Sequence, residues 1–246
     1  MFGWRLLTIA AIAITSCLLP RQLSSAGTGS RPAENRGSDL RIAAPDISSA
    51  GWKPMVELVG LLGWVPRNGT ATYHNDGGQI VGRSVVGSPT SLLCTEKEYA
   101  DFELTFEVLL DDKLNSGVQV RSFSKKDVNG GRVCGPQIEI EALSDDPNNA
   151  CESGYIYSEG TGRGWLSENR IVDDVMINGQ WNRFVIRVVG PRIQTWVNGR
   201  KVEDLLDENS PATGFIGLQV HSVPNGTPPL EVRWRDLRIR ELPTGG

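Results

Sequence analysis

In the stretch GPQIEIEA, residues 135–142, Ile138 and Ile140 share one parity and Gln137, Glu139 and Glu141 the other. An extended chain sends alternate side chains to opposite faces, so this strand has one apolar face and one face of an amide and two carboxylates. The same asymmetry recurs in NSGVQVR, where Val118 and Val120 oppose Gln119 and Arg121, and in GLQVH, where Leu218 and Val220 oppose Gln219 and His221. Asn115 opens the second stretch as a further amide for ligand binding. Amides, carboxylates, an arginine and a histidine that converge would supply both donors and acceptors, which a polyhydroxylated ligand requires at each hydroxyl. For any one strand taken alone, a wetted outer face is the plain alternative.

Aromatic residues add a weaker signal. Trp165 lies in the glycine-rich GTGRGWLSENR with Arg163, Glu168 and Arg170, where it either stacks on a sugar face or plugs the end of the fold. Trp181 and Trp234 have apolar neighbours and read as core. Trp196 shares parity with Gln194 and Asn198 and faces either a groove or a neighbouring strand.

The elements that must position these residues are short strands. ADFELTFEVLLDD, SGVQVRSF, PQIEIEA, SGYIYSEG, RFVIRVVG, RIQTWVNGRKV, GFIGLQVHSV and LEVRWRDLRIREL alternate between Gly, Pro, Asn and Asp clusters, and YHNDGGQIVG turns at Asn75–Gly78. No long segment has a helical period, so a one-domain all-β sandwich, jelly roll or barrel is expected, with two facing sheets and room for a sugar-sized groove. No repeat of propeller or solenoid type is visible.

The 246-residue chain carries 25 Lys and Arg among 29 Asp and Glu, with no basic run, which argues against nucleic-acid binding. The first residues, MFGWRLLTIAAIAITSCLLP, have the layout of a secretory signal: Arg5, an apolar run and small residues. Cleavage at Ser24-Ser25-Ala26 would give a signal over residues 1–26. Ile14-Thr15-Ser16-Cys17 alternatively resembles a lipobox, which would leave a lipid anchor on Cys17 as the only membrane contact; an uncleaved signal anchor is the third route. All three imply export, to the periplasm or the exterior. Residues 27–50 read as a disordered tether and 51–243 as the folded domain. Beyond the signal stand Cys94, Cys134 and Cys151. An odd number allows one internal pair, expected between Cys134 and Cys151, which would stabilise by roughly 3 kcal/mol; Cys94 reads as a small buried apolar side chain. No paired Cys/His spacing suggests zinc.

Taken in order, NSGVQVR, GPQIEIEA, GYIYSEGTGRGWLS, GQWNRFVIRVVGPRIQTWVNGRKVEDL, GFIGLQVH and VRWRDLRIREL resemble the 3-keto-disaccharide hydrolase family, from about Trp52 to Leu242. That resemblance implies a concanavalin A-like jelly roll of two antiparallel sheets and action on glycosides oxidised at sugar carbon three. A ketone there acidifies the hydrogen at carbon two, so a base can remove it, the aglycone oxygen can leave carbon one, and water can add back. The route needs a base, an acid for the leaving oxygen and a clamp for the enolate. Within the resemblance, His221 or Glu139 is the candidate base, Glu141 the acid, and Arg121 with Gln119 the clamp, while Asn115, Gln137, Gln219 and Trp165 bind substrate.

Two other chemistries stay open. Side chains two apart on a strand lie roughly 6 to 7 Å apart, which suits the carboxylate pair of an inverting hydrolase. Glu139 and Glu141 could also ligate a divalent cation such as calcium, although two carboxylates on a flat strand are no calcium signature. A lectin-like module that binds the carbohydrate without cleaving it is the alternative to an enzyme.

Overall fold

Alternating stretches become strands because the pleat lets one face pack while the other is solvated or lines a cavity. The computed structural model describes residues 43–144, 151–170 and 174–243. The expected export signal, most of the tether, and the turn of residues 145–150 lie outside the described residues.

Among the described residues, fifteen strands form two antiparallel sheets. The eight-stranded sheet has the order β13 (Arg200–Leu206), β12 (Arg192–Val197), β11 (Asn182–Val189), β6 (Phe102–Leu110), β15 (Glu231–Glu241), β4 (Gln79–Arg83) and β3 (Thr72–Asp76), and β1 (Lys53–Pro54) also pairs with β15. The seven-stranded sheet has the order β10 (Gly164–Trp165), β9 (Ile156–Glu159), β8 (Gly135–Ile140), β7 (Ser116–Ser122), β14 (Gly214–Val220), β5 (Ser91–Tyr99) and β2 (Trp64–Asn68). Strands distant in sequence are neighbours in both sheets, as in the jelly-roll sandwich expected from the sequence.

The apolar parities meet between the sheets. From the seven-stranded sheet come Leu93, Val118, Val120, Ile138, Ile140, Ile216, Leu218 and Val220; from the other come Phe102, Leu104, Phe106, Phe184, Ile186 and Trp234. Phe106 and Phe184 stack with ring centroids 5.2 Å apart. Ile138 is fully buried there, so Ile138→Ala leaves a cavity in a close-packed interior. A loss of about 2 to 5 kcal/mol is expected in chemical denaturation.

Three local readings are revised. RIQTWVNGRKV is a hairpin: Asn198 (φ 48°) and Gly199 (φ 81°) take the left-handed conformation of a tight turn between β12 and β13. The ordered domain starts before residue 51, because Trp52 Nε1 donates to the Asp46 carbonyl (3.1 Å), and Arg238 and Arg240 donate to the Ile47 carbonyl (3.0 Å) and Ser49 Oγ (2.6 Å). Trp234 is core, but Trp181 is half-buried at the surface, where the Arg235 guanidinium lies 4.1 Å from its ring centroid. Trp196 is buried and lines no groove.

The expected Cys134–Cys151 disulfide is not formed: both side chains are buried but are not bridged to each other. Cys134 immediately precedes β8, whereas Cys151 Sγ lies 3.8 Å from the Glu141 carbonyl just past its other end. Seven extended residues span roughly 23 Å, far beyond disulfide reach. The prediction treated the strand as a closable loop. Cys94 is buried as expected, and burial pushes its thiol up to about 12 against the opposing pull of Arg67.

Candidate functional site

The polar parities of β7, β8 and β14 lie on the outer face of the seven-stranded sheet, and pairing brings them together. Gln137 is opposite Gln119, Glu139 is opposite Gly117, and Gln219 is opposite Gly117 on the other side. Gln119, Gln137, Glu139 and Gln219 are nonetheless buried. The loop between β7 and β8 folds back beside them, where Val133 packs on Leu92, Cys94 and Phe215 and donates its N–H to Asn68 Oδ1 (3.0 Å).

Gly117 makes room for this layer. A Cβ there would lie 2.7 Å from Gln137 Cγ, because the Gln137 side chain lies across the glycine. Gln137 Oε1 accepts from Gln119 Nε2 (3.2 Å) and Gln219 Nε2 (2.7 Å), and Gln137 Nε2 donates to Glu139 Oε1 (2.6 Å). Gln119 Oε1 and Gln219 Oε1 are buried without a partner. A buried acceptor left unmade costs about 1 to 3 kcal/mol, and the hydroxyls of a polyhydroxylated ligand would supply the missing donors.

Glu139 is the titratable centre. Burial pushes its carboxyl up to about 8, against hydrogen bonds from Gln137 and Asn115 that favour the ionised form, while Glu141 and Glu159 push it further up. Asn115 thus lies within hydrogen-bond reach of Glu139. Glu141 lies on the same parity two residues on and is half-buried. Burial raises its carboxyl too, against the Glu152 N–H that it accepts.

Other expected site residues fall elsewhere. Arg121 is no clamp: its φ of 47° breaks the strand alternation, and the guanidinium donates to the Ala100 carbonyl (2.6 Å), the Gly190 carbonyl (2.5 Å) and Asp101 Oδ1 (2.6 Å). It ties the β5–β6 turn to the β11–β12 turn instead of meeting a ligand. His221 is exposed just past the end of β14, with Nδ1 2.9 Å from the carbonyl of its neighbour Ser222. Trp165 packs on the core edge-on to Tyr157 (5.3 Å) under the Arg170 guanidinium (4.3 Å), and it also lines a cleft of about 750 Å³ with Arg163 and Asp207. Among the described residues, no group of three His, Cys, Asp or Glu could hold a metal ion.

Sequence reasoning missed Tyr157, Glu159 and Arg132. Tyr157 is opposite Gln137 on β9, and all three line a cleft of about 620 Å³. Arg132 pairs with Glu159 and also lines a second cleft, of about 630 Å³, with Asn68, Thr90 and Ser222. Tyr157 and Glu159 continue the same period-two pattern in GYIYSEG, so parity could have found them. Arg132 sits in the irregular Asn129–Gly131 turn, where sequence gives no direction.

The model of the 3-keto-alpha-glucoside-1,2-lyase-like domain matches residues 51–240, which span both sheets and every residue of the buried polar layer. The chain belongs to that family. Family membership agrees with the resemblance read from the motifs. Among solved structures the chain is similar to two candidate glycosyl hydrolases from Parabacteroides distasonis ATCC 8503. One has TM-score 0.59 and 16% identity over 78% of this chain and 94% of that one; the other has TM-score 0.51 and 22% identity over 78% and 99%. It is also similar to a protein of unknown function with a galectin-like fold from Bacillus subtilis (TM-score 0.56, 10% identity, 79% of this chain and 96% of that one). At these identities the likeness shows the fold. No curated protein matches the sequence.

Proposed function

We propose that this protein is an exported enzyme that cleaves 3-keto-glycosides by elimination across carbons one and two, followed by addition of water. The observation that carries this reading is the buried carboxyl of Glu139, set among amides on the outer sheet face. Two of those amides keep unpartnered oxygens. The 1,2-lyase description of the family favours elimination over direct hydrolysis.

In this mechanism Glu139 takes the proton from carbon two, already acidified by the adjacent ketone. Burial makes the carboxylate a stronger base than an exposed one, and the amide bonds from Gln137 and Asn115 hold it as an acceptor. The electron pair forms the bond between carbons one and two while the aglycone oxygen leaves carbon one with a proton from Glu141, whose carboxyl is also raised. Water then adds across the double bond. With Arg121 committed elsewhere, the second N–H groups of Gln119 and Gln219 are the donors left for the ketone or enolate oxygen.

A test is to incubate the purified protein with a nitrophenyl 3-keto-glucoside in D2O. Nitrophenol release with deuterium at carbon two of the sugar, above a protein-free control, is expected. Release without deuterium points to direct hydrolysis, and saturable binding without release to a lectin-like module. Nitrophenolate leaves carbon one without needing the Glu141 proton, so with this substrate a base that titrates near 8 makes turnover rise as pH increases from 6 to 9.

A further inference from the structure

We propose that Gln137 is a positioning residue: Gln119 and Gln219 lock its amide, and the locked amide holds Glu139 as a hydrogen-bond acceptor facing the substrate. This deepens the proposed function and rests on it for the identity of the reaction.

An amide can present either its oxygen or its nitrogen to a neighbour, and only the nitrogen supports a carboxylate. At Gln137 that choice is made by two other strands. Gln119 from β7 and Gln219 from β14 each point an N–H at Gln137 Oε1, at 3.2 and 2.7 Å, so turning the amide over would set nitrogen against nitrogen twice. What remains is Nε2 aimed at Glu139 Oε1 at 2.6 Å. Gln137 Oε1 and one N–H of its Nε2 are thus committed to protein, whereas the oxygens of Gln119 and Gln219 are not. Substrate hydroxyls therefore fall to Gln119 and Gln219, and Gln137, expected from the sequence to bind substrate, acts through Glu139. Gly117 is required for the arrangement because any side chain there would displace Gln137.

The charged groups around Glu139 do not duplicate this role. Glu141 on its own strand and Glu159 on β9 both oppose ionisation. Arg132 from the β7–β8 loop is paired with Glu159, Arg121 on β7 is bound to Asp101, and His221 beyond β14 is exposed against Ser222. The amides of Gln137 and Asn115 are the groups favouring the carboxylate.

The test compares wild type with Gln137→Leu and with the double variant Gln119→Leu/Gln219→Leu. Carboxyl-labelled glutamate is followed by NMR across pH without substrate, with Glu139→Gln assigning the signal. Loss of the Nε2 donor should move the Glu139 midpoint to higher pH in Gln137→Leu, and unlocking the amide should move it in the same direction, by less, in the double variant. In Gln137→Leu, turnover of the 3-keto-glucoside at pH 7 should fall about tenfold or more in kcat with KM within threefold, and the rising limb of its pH profile should shift with the midpoint. A folded Gln137→Leu protein whose Glu139 midpoint is unmoved overturns the proposal. If that variant does not fold, an unmoved midpoint in the double variant does the same. Wild type that turns over no 3-keto-glucoside, with midpoints that still shift, refutes the proposed reaction and leaves the lock standing.

Discussion

Glu139→Gln is expected to lose at least a hundredfold in turnover of a 3-keto-glucoside while melting no lower than wild type. The substitution keeps size and acceptor oxygen, so Gln137 Nε2 retains a partner where it now meets Glu139 Oε1 at 2.6 Å. It removes the base, and a positioned base contributes about 10² to 10⁴ in rate. The stability half of the result follows from linkage. The folded protein holds the Glu139 proton up to about pH 8, whereas the unfolded chain loses it near the ordinary 4.5. Between those values the folded state binds more protons, so wild-type stability falls as pH rises from 4.5 through 8, and the full cost of burying the charge is present above 8. That cost is on the order of a few kcal/mol. Glu139→Gln lacks it, so its melting temperature should exceed that of wild type at pH 9 and converge with it near pH 4.5. Full activity in this variant would remove Glu139 from the mechanism, and a lower melting temperature at pH 9 would show that its carboxylate is stabilised by the fold.

Asp101→Ala should have the opposite phenotype, a loss of about 3 to 5 kcal/mol in stability with little change in the turnover of folded protein. Asp101 and Arg121 form a pair at 2.6 Å with side chains only 11% and 5% exposed. Burial disfavours the guanidinium charge, and Asp101 opposes that effect. Without the carboxylate, Arg121 is left as a buried cation with only the Ala100 and Gly190 carbonyls, and the Gly190 N–H loses the Asp101 Oδ1 acceptor at 3.0 Å. Chemical denaturation measures the stability loss, and kcat/KM at 20 °C under native conditions measures the rest. A large fall in kcat/KM with unchanged stability would return Arg121 to the active site as an enolate clamp.

The outer-face layer was legible in the sequence because period two is a local property. Once GPQIEIEA, SGVQVRS and GFIGLQV are strands, Gln137, Glu139, Gln119 and Gln219 must oppose the isoleucines, valines and leucines that form the core. Local patterning also gave an all-β sandwich, jelly roll or barrel, which the family resemblance narrowed to the jelly roll, and the buried Cys94. It failed where a strand is covered on both faces: β5 puts Leu93 in the main core and Leu92 and Cys94 under Val133, so SLLCTEKEY does not alternate. It failed again where one backbone angle breaks the rule, because a left-handed residue at Arg121 sends the guanidinium to the β11–β12 turn that no pattern in NSGVQVR foretells. The disulfide was misplaced because sequence separation counts residues, whereas an extended strand holds its two ends apart.

By itself, then, the sequence determined which side chains share a face, since that depends only on the pleat. Tertiary structure decided which of them meet. Register across β14, β7 and β8 set Gln219 and Gln119 on one amide oxygen and turned that amide's nitrogen to Glu139. Burial, a property of the assembled sheets and of no single strand, is what lifts an ordinary glutamate to about 8.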